Sequence, residues 1–371
     1  MPIPIVSIIR KNKWLVGFIV CLAVLIVLFT RFLGPNILGD TPSYIDAMNV
    51  LAGHAPSAGF IPNRIITTFG PMELIRGLAP IFGGTYPAWF YLNVVLYLIG
   101  CIVLFKLLYG FFDSGATAFF GGLFLASSYG FFLFGLHYLM DVGGLAFYVC
   151  SLYFLSRYAR SRSWRDILLS ALMIGVGGLF KEYAFLAAVG IAVYLIVEAW
   201  PGLKTVSGWK SFASKGIATG AIAMAPAAIL YIWAFHHFGY TYADWFGANA
   251  THYIYHSRIT EYIKSLGSLY NFLALIVLGG LYVVIKQWKT IESRLRIFLV
   301  SAAASFLPIF CWPAITQRIL TATVPFAIII AGFAFKRWQK LWWLWAALLV
   351  MYALATFFMD SYILKAVNLP F

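Results

Sequence analysis

Five short stretches of the chain set ionisable side chains at the ends of long apolar runs. Asp40 lies in GDTPSYIDAM with Tyr44 four residues on, and Arg64 closes Ile61-Pro62-Asn63-Arg64. His137 and Asp141 share GLHYLMDVGG, Lys181 and Glu182 adjoin in GLFKEYAFL, and Arg318 stands in CWPAITQRIL. An ion costs about 3 kcal/mol at the centre of a membrane span and less near its ends, so such groups pair with one another or line a wet cavity. A carboxylate there can take a proton from an attacking hydroxyl. A guanidinium matches the oxygens of a phosphate in a bidentate way. Blander tasks exist for the same residues. Asp40 or Thr41 can cap a helix that has Pro42 in its first turn, Glu182 can be a structural ion partner of Arg318, and long cationic side chains can snorkel. His252 and His256 are four apart and could share a helix face and a metal, but no glutamate lies between them, so the signal is weak. Cys21, Cys101, Cys150 and Cys311 all fall inside apolar runs and read as small core residues.

The elements that position these groups are membrane helices. The chain has 371 residues, 63% hydrophobic and only 10% charged, against about 25% charged in an average soluble domain. Counting apolar runs against the roughly 20 residues of a span gives eleven, near 14–32, 87–109, 116–136, 140–158, 166–180, 183–200, 216–236, 268–286, 297–312, 318–335 and 341–358. The fold class is thus an all-α polytopic bundle, with 1–371 as a single transmembrane domain. Arg10, Lys11 and Lys13 precede the first run, which is longer than a signal-peptide core and lacks a small-residue cleavage site, so it reads as an uncleaved span. The net charge of +14 comes from short clusters between apolar runs, which is an orientation signal and not a nucleic-acid footprint.

Sidedness decides the hardest stretch. With 166–200 broken at Lys181-Glu182-Tyr183, the clusters around Arg157–Arg165, Lys204–Lys215, Lys286–Arg296 and Lys336–Lys340 all share the cytoplasmic side with the N-terminus. Eighteen of the 26 basic residues then lie inside, while eight of the 12 acids lie outside. Orientation explains the first asymmetry. It does not require the second, because acids contribute little to topology.

Two outer connections are long, 33–86 and 237–267, and long connections in a compact protein are usually functional. In the first, Tyr44, Met48 and Leu51 fall on one face of an expected helix. IPNRIITTFGPMELIRGLAPIFG forms a second amphipathic stretch, so two surface helices are expected. The second, HHFGYTYADWFGANATHYIYHSRITEYIK, has the aromatic density of an interfacial belt or of a sugar-stacking surface. Asn249-Ala250-Thr251 within it is a formal glycosylation acceptor.

These residues, in this order, resemble the GT-C superfamily of membrane glycosyltransferases, which includes protein O-mannosyltransferases and aminoarabinose transferases. The features that carry the resemblance are an acid just past the first span in a D-x-x-x-Y setting (Asp40, Tyr44), a following P-x-R (Pro62, Arg64), and an acidic turn between the third and fourth spans (Asp141). The Lys181-Glu182 break and an arginine opening a late span ahead of a proline (Arg318, Pro325) complete it. The resemblance implies inverting transfer of a sugar from a polyprenyl-phosphate donor to a glycan, lipid or protein acceptor on the extracytoplasmic side. It implies Asp40 as the base, Arg64, Lys181 and Arg318 on the donor phosphate, and Tyr44, His137, Asp141 and Glu182 as groups that orient substrate or cations. Isolated single acids replace the usual second acidic pair, so no metal ligands are assigned, although a divalent metal stays possible. The chain ends in a span and a short tail, so acceptor recognition by a soluble C-terminal domain is expected to be absent or supplied by a partner. A bacterial cytoplasmic membrane is the expected location, and an endoplasmic reticulum membrane would have equivalent sidedness. Two rivals remain at this stage. One is a transporter or lipid flippase, for which related halves and midplane charges are expected but not visible. The other is a noncatalytic subunit with the same fold.

Overall fold

The computed structural model describes residues 13–252 and 257–367. Every regular element there is helical. Helix α1 (Lys13–Phe32) leads into the first long connection, which holds α2 (Thr41–Leu51) and α3 (Asn63–Phe82). Then follow α4 (Thr85–Phe112), α5 (Gly115–Ala126), α6 (Tyr129–Leu136), α7 (Asp141–Ser161) and α8 (Trp164–Phe180). A 3-10 turn, Glu182–Phe185, joins α8 to α9 (Leu186–Ala199). The remainder is α10 (Val206–Phe238), α11 (Tyr242–His252), α12 (Arg258–Gln287), α13 (Ser293–Ser305), α14 (Gln317–Leu320), α15 (Val324–Arg337) and α16 (Trp342–Val367).

Among the described residues, eight helical runs are long and apolar enough to cross a membrane, or nine if α5 and α6, bent by 59°, are one span. The chain is a multi-pass membrane protein. The two remaining expected spans, α7 and α8, are helices at the expected places but do not have that length and apolarity. Helix α8 has 17 residues, and α7 is interrupted by Asp141, Ser151, Ser156, Arg157 and Arg160. The physical reason lies in the packing. Helix α7 is buried along most of its length against α4 and α8, so its surroundings are protein, and it need not be as apolar as a lipid-facing helix. Ser151 and Ser170 hydrogen-bond across the α7–α8 contact at 2.8 Å, the kind of polar link that joins helices within a bilayer.

The run Gln317–Arg337 is the most enclosed, with 83% of its apolar window buried against 17% for Lys13–Phe32 and Gln339–Met359. Arg318 therefore opens the helix at the centre of the bundle. Helix α2 buries Thr41, Tyr44, Ala47 and Met48, a three-to-four-residue spacing that makes one face. Helix α3 is kinked at Thr68 (φ −146°, ψ 34°), three residues before Pro71, whose missing N–H and ring break the local ladder. Lys181 has extended backbone (φ −168°, ψ 146°) and ends α8, so the expected break at Lys181-Glu182 is present and 166–200 forms two helices. Residues 253–256, including His256 of the proposed histidine pair, lie outside the described residues.

Candidate active site

The site is assembled by two loops clasped together. The linker after α1 and the turn before α7 bond to each other at several points. Asn36 N–H donates to His137 Nδ1 at 3.0 Å, and Thr41 Oγ1 donates to the Tyr138 carbonyl at 2.8 Å. Helix α4 holds the turn from behind, through Asn93 Nδ2 to the His137 carbonyl (2.7 Å) and Trp89 Nε1 to the Leu139 carbonyl (3.1 Å). Asp40 leaves one loop and Asp141 the other, and Arg318 enters between them.

Arg318 gives most of its N–H donors to three side chains. Its Nε and Nη2 donate to Asp141 Oδ1 and Oδ2 at 2.9 and 2.7 Å. Its Nη1 donates to Asp40 Oδ2, and Nη2 also reaches the Tyr44 hydroxyl at 3.1 Å. Arg64 Nη2 donates to the other oxygen of Asp40 at 2.6 Å. The Arg64 guanidinium lies between two rings, 5.0 Å from the Tyr44 centroid and 5.6 Å from that of Trp245, a cation–π sandwich that fixes its plane. Lys181 Nζ stands 3.4 Å from Glu182 Oε2. Asp40 occupies the N-cap position of α2 but makes no side-chain cap bond. Its carboxylate is committed to the two arginines, so capping is not its task. Nor does Glu182 pair with Arg318, as the structural-pair alternative would have it.

A cavity of about 540 Å³ opens onto this cluster. Asp40, Arg64, Lys181, Glu182 and Arg318 line it directly. Asp141, 1% exposed, and Tyr44 stand behind Arg318 and hold it. His137 is the exception among the residues expected to orient substrate. It is fully buried away from the cavity, with its ring against Phe29 and its Nδ1 on the Asn36 amide. It clasps the two loops and is not among the residues that line the cavity. Residues the sequence did not assign to the site complete the wall: Tyr231 from α10, Tyr242, Trp245 and Asn249 from α11, and Trp312 before α14. For Tyr242 and Trp245 the signal was the aromatic density of 237–267, which an interfacial belt explains equally well. Trp245 Nε1 and Arg64 Nε are buried and make no hydrogen bond, so each retains capacity for a ligand in the cavity. Among the described residues, no three His, Cys, Asp or Glu side chains converge as metal ligands would.

Three cations and three carboxylates share the site, and the balance tunes them. Burial alone would raise the Asp40 pKa, but Arg318 and Arg64 beside it win and hold it at about 2, below the ordinary 3.8. The contribution of Asp40 to stability is therefore present above about pH 4 and is lost as pH falls through about 2. Burial would likewise depress the Lys181 pKa, yet Glu182, Tyr44 and Asp141 outweigh it, and the lysine is held above its usual value. Lys181 stays charged at any working pH.

Gly144 on α7 is what lets Lys181 sit where it does. A Cβ there would meet Lys181 Cβ at 2.5 Å and the Lys181 carbonyl oxygen at 2.9 Å. Gly144→Ala is expected to push the Lys181-Glu182 turn off α7 and to cost about 1–3 kcal/mol of stability, as overpacking does. Thermal unfolding in detergent would show it, and an unchanged midpoint would mean that the turn moves freely.

Residues 70–233, a little under half of the chain, match the family described as dolichyl-phosphate-mannose-protein mannosyltransferase. In structure the chain is similar to ArnT from Cupriavidus metallidurans bound to undecaprenyl phosphate, with a TM-score of 0.54 and 16% identity, covering 90% of this chain and 62% of that one. The same protein in its apo state gives a TM-score of 0.54 and 17% identity over 89% and 62%. The S. cerevisiae protein O-mannosyltransferase Pmt1-Pmt2 complex bound to the sugar donor aligns over 62% of this chain and 34% of that one, at 16% identity and a TM-score of 0.47. No curated protein sequence matches significantly. The chain thus resembles the GT-C membrane glycosyltransferases and shares the ArnT fold, spanning 62% of the ArnT chain.

Proposed function

We propose that the protein is an inverting membrane glycosyltransferase that moves a sugar from a polyprenyl-phosphate donor to a hydroxyl acceptor on the extracytoplasmic side. The observation that carries this reading is the convergence of Asp40, Arg64 and Arg318, from three distant parts of the sequence, on one wall of the cavity. The family match and the ArnT-like fold support the same reading.

The reaction needs a proton acceptor and a clamp for a phosphate leaving group. The acceptor oxygen attacks the anomeric carbon, and the bond from that carbon to the phosphate oxygen breaks. The acceptor's proton passes to Asp40, and the polyprenyl phosphate leaves with the bonding electrons. Arg64 and Arg318 hold the phosphate charge that develops. No second carboxylic acid is required, since a phosphate leaves without protonation, unlike the leaving alcohol of glycoside hydrolysis.

A carboxylate held at a pKa of about 2 is a feeble base, and the best general base has a pKa near the working pH. The donor corrects this. Its phosphate competes for the guanidinium groups that now hold Asp40 and adds a like charge, and both effects raise the Asp40 pKa in the complex. The expected pH profiles follow. The acid limb of kcat/KM, which reports the free enzyme, lies below about pH 4, and the acid limb of kcat lies at distinctly higher pH. Coincident limbs would show that donor binding leaves Asp40 untouched.

The direct test is to incubate the purified protein with a panel of polyprenyl-phosphate sugars and follow release of polyprenyl phosphate with a mixed glycan and lipid acceptor pool. Release from at least one donor is expected. No release from any, together with donor flux across liposomes, would replace this reading with transport.

A further inference from the structure

A cavity of about 660 Å³ lies at the end of the bundle opposite Asp40. It is framed by the start of α1, the end of α4, the start of α5, the end of α7 and the start of α8, so the chemistry proposed above leaves it unused. We propose that it is a binding site for the phosphodiester headgroup of an anionic phospholipid in the adjoining leaflet.

Three cations from two helices line it: Lys106 on α4, and Arg157 and Arg160 one turn apart on α7. Arg160 is fixed in place. Its Nη1 donates to the Gly110 carbonyl at 2.5 Å and its Nε to the Ser156 carbonyl at 3.2 Å. Gly110 is what admits it, because a Cβ there would stand 2.9 Å from Arg160 Nη1. Arg160 Nη2 also reaches the Ser156 hydroxyl at 3.5 Å, and these three contacts leave the remaining N–H groups of the five-donor guanidinium available. Lys106 is exposed and makes no ion pair among the described residues. Two carboxylates also line the cavity, Asp113 and Asp166. Asp166 is already matched, by Arg157 at 3.2 Å and by the Ser161 hydroxyl at 2.8 Å. Asp113 is exposed at the left-handed C-cap of α4 (φ 47°). Lys106 and Arg160 therefore remain against the single carboxylate of Asp113, which leaves the cavity one positive charge in excess.

The surroundings select a lipid over a soluble anion. Trp14 is packed against Gly115, where a Cβ would meet the indole at 2.1 Å. Trp14 is 39% exposed and Tyr109 50% exposed. Amphipathic rings of this kind sit at headgroup depth, next to apolar side chains that face the acyl region. Basic pockets between helix ends at that depth recognise lipid headgroup phosphates.

The test uses the full chain in nanodiscs of phosphatidylcholine doped with phosphatidylglycerol, with bound lipid counted by native mass spectrometry. Wild type is expected to retain one phosphatidylglycerol above the phosphatidylcholine background. Lys106→Glu, at an exposed position that makes no structural bond, should weaken retention about tenfold with unfolding temperature in phosphatidylcholine alone unchanged. Arg160→Gln should also lose the lipid. Equal retention of both lipids, unchanged retention by Lys106→Glu, or displacement of phosphatidylglycerol by millimolar inorganic phosphate would each overturn the assignment.

Discussion

Asp40→Asn is expected to lower kcat by about 10²–10⁴-fold, the usual worth of a positioned general base, while polyprenyl phosphate binds at least as tightly as to wild type. The two effects come from the same contacts. Asp40 now accepts from both Arg64 and Arg318, and an amide cannot neutralise either cation. The substitution removes the proton acceptor and at the same time releases two guanidinium groups toward a phosphate. A residue with only a packing task would lose binding and turnover together. The variant should also fold, because Arg318 keeps its bidentate partner Asp141 and Asp40 makes no cap bond that α2 would lose. Binding of polyprenyl phosphate by calorimetry, beside single-turnover kinetics with the best donor, separates the terms. Turnover close to wild type would remove Asp40 from the base's role, and weaker lipid binding would mean that the arginines are not the phosphate clamp.

The ends of the helices were legible in the sequence because charge in an apolar context is conspicuous. Asp40, Arg64, Lys181, Glu182 and Arg318 all stand out at the ends of apolar runs, and all of them line one cavity. The break at Lys181 was legible for a second reason, since only two helices over 166–200 keep the basic clusters on one side. What was not legible is what depends on the partner of a residue and not on its type. His137 sits in a charged, aromatic turn and reads like a site residue, but its ring nitrogen is spent on a backbone amide from another loop. Trp245 reads like belt and instead stacks on Arg64. Length and apolarity do not mark α7 and α8 as spans for the same reason. Apolarity measures contact with lipid, and α7 is buried almost wholly in protein. The pKa of Asp40 was equally out of reach, because it is set by two arginines 24 and 278 residues away.

The second large effect concerns Arg318, whose two tasks can be separated. Its guanidinium neutralises Asp141, which is 1% exposed, and it also presents a cation to the cavity. Arg318→Gln leaves the Asp141 carboxylate buried without its counter-ion. Breaking a buried pair in that way costs about 3–5 kcal/mol, because the orphaned charge keeps its desolvation penalty. The variant should unfold at much lower temperature and show no turnover, which by itself cannot tell a structural role from a chemical one. Asp141→Asn in the same chain removes the orphan. The double variant has no buried charge left to pay for at that position, so most of the stability should return. Its turnover should not, since the loss of one preorganised donor to a developing oxyanion costs about 10²–10³-fold. The cycle of four proteins therefore predicts strong coupling between Arg318 and Asp141 in stability and little recovery in activity. Recovery of both together would make Arg318 a strut that holds the two loops at the right distance. Recovery of stability alone would leave it as the group that faces the phosphate, with Asp141 as the residue that keeps its fork turned toward the cavity.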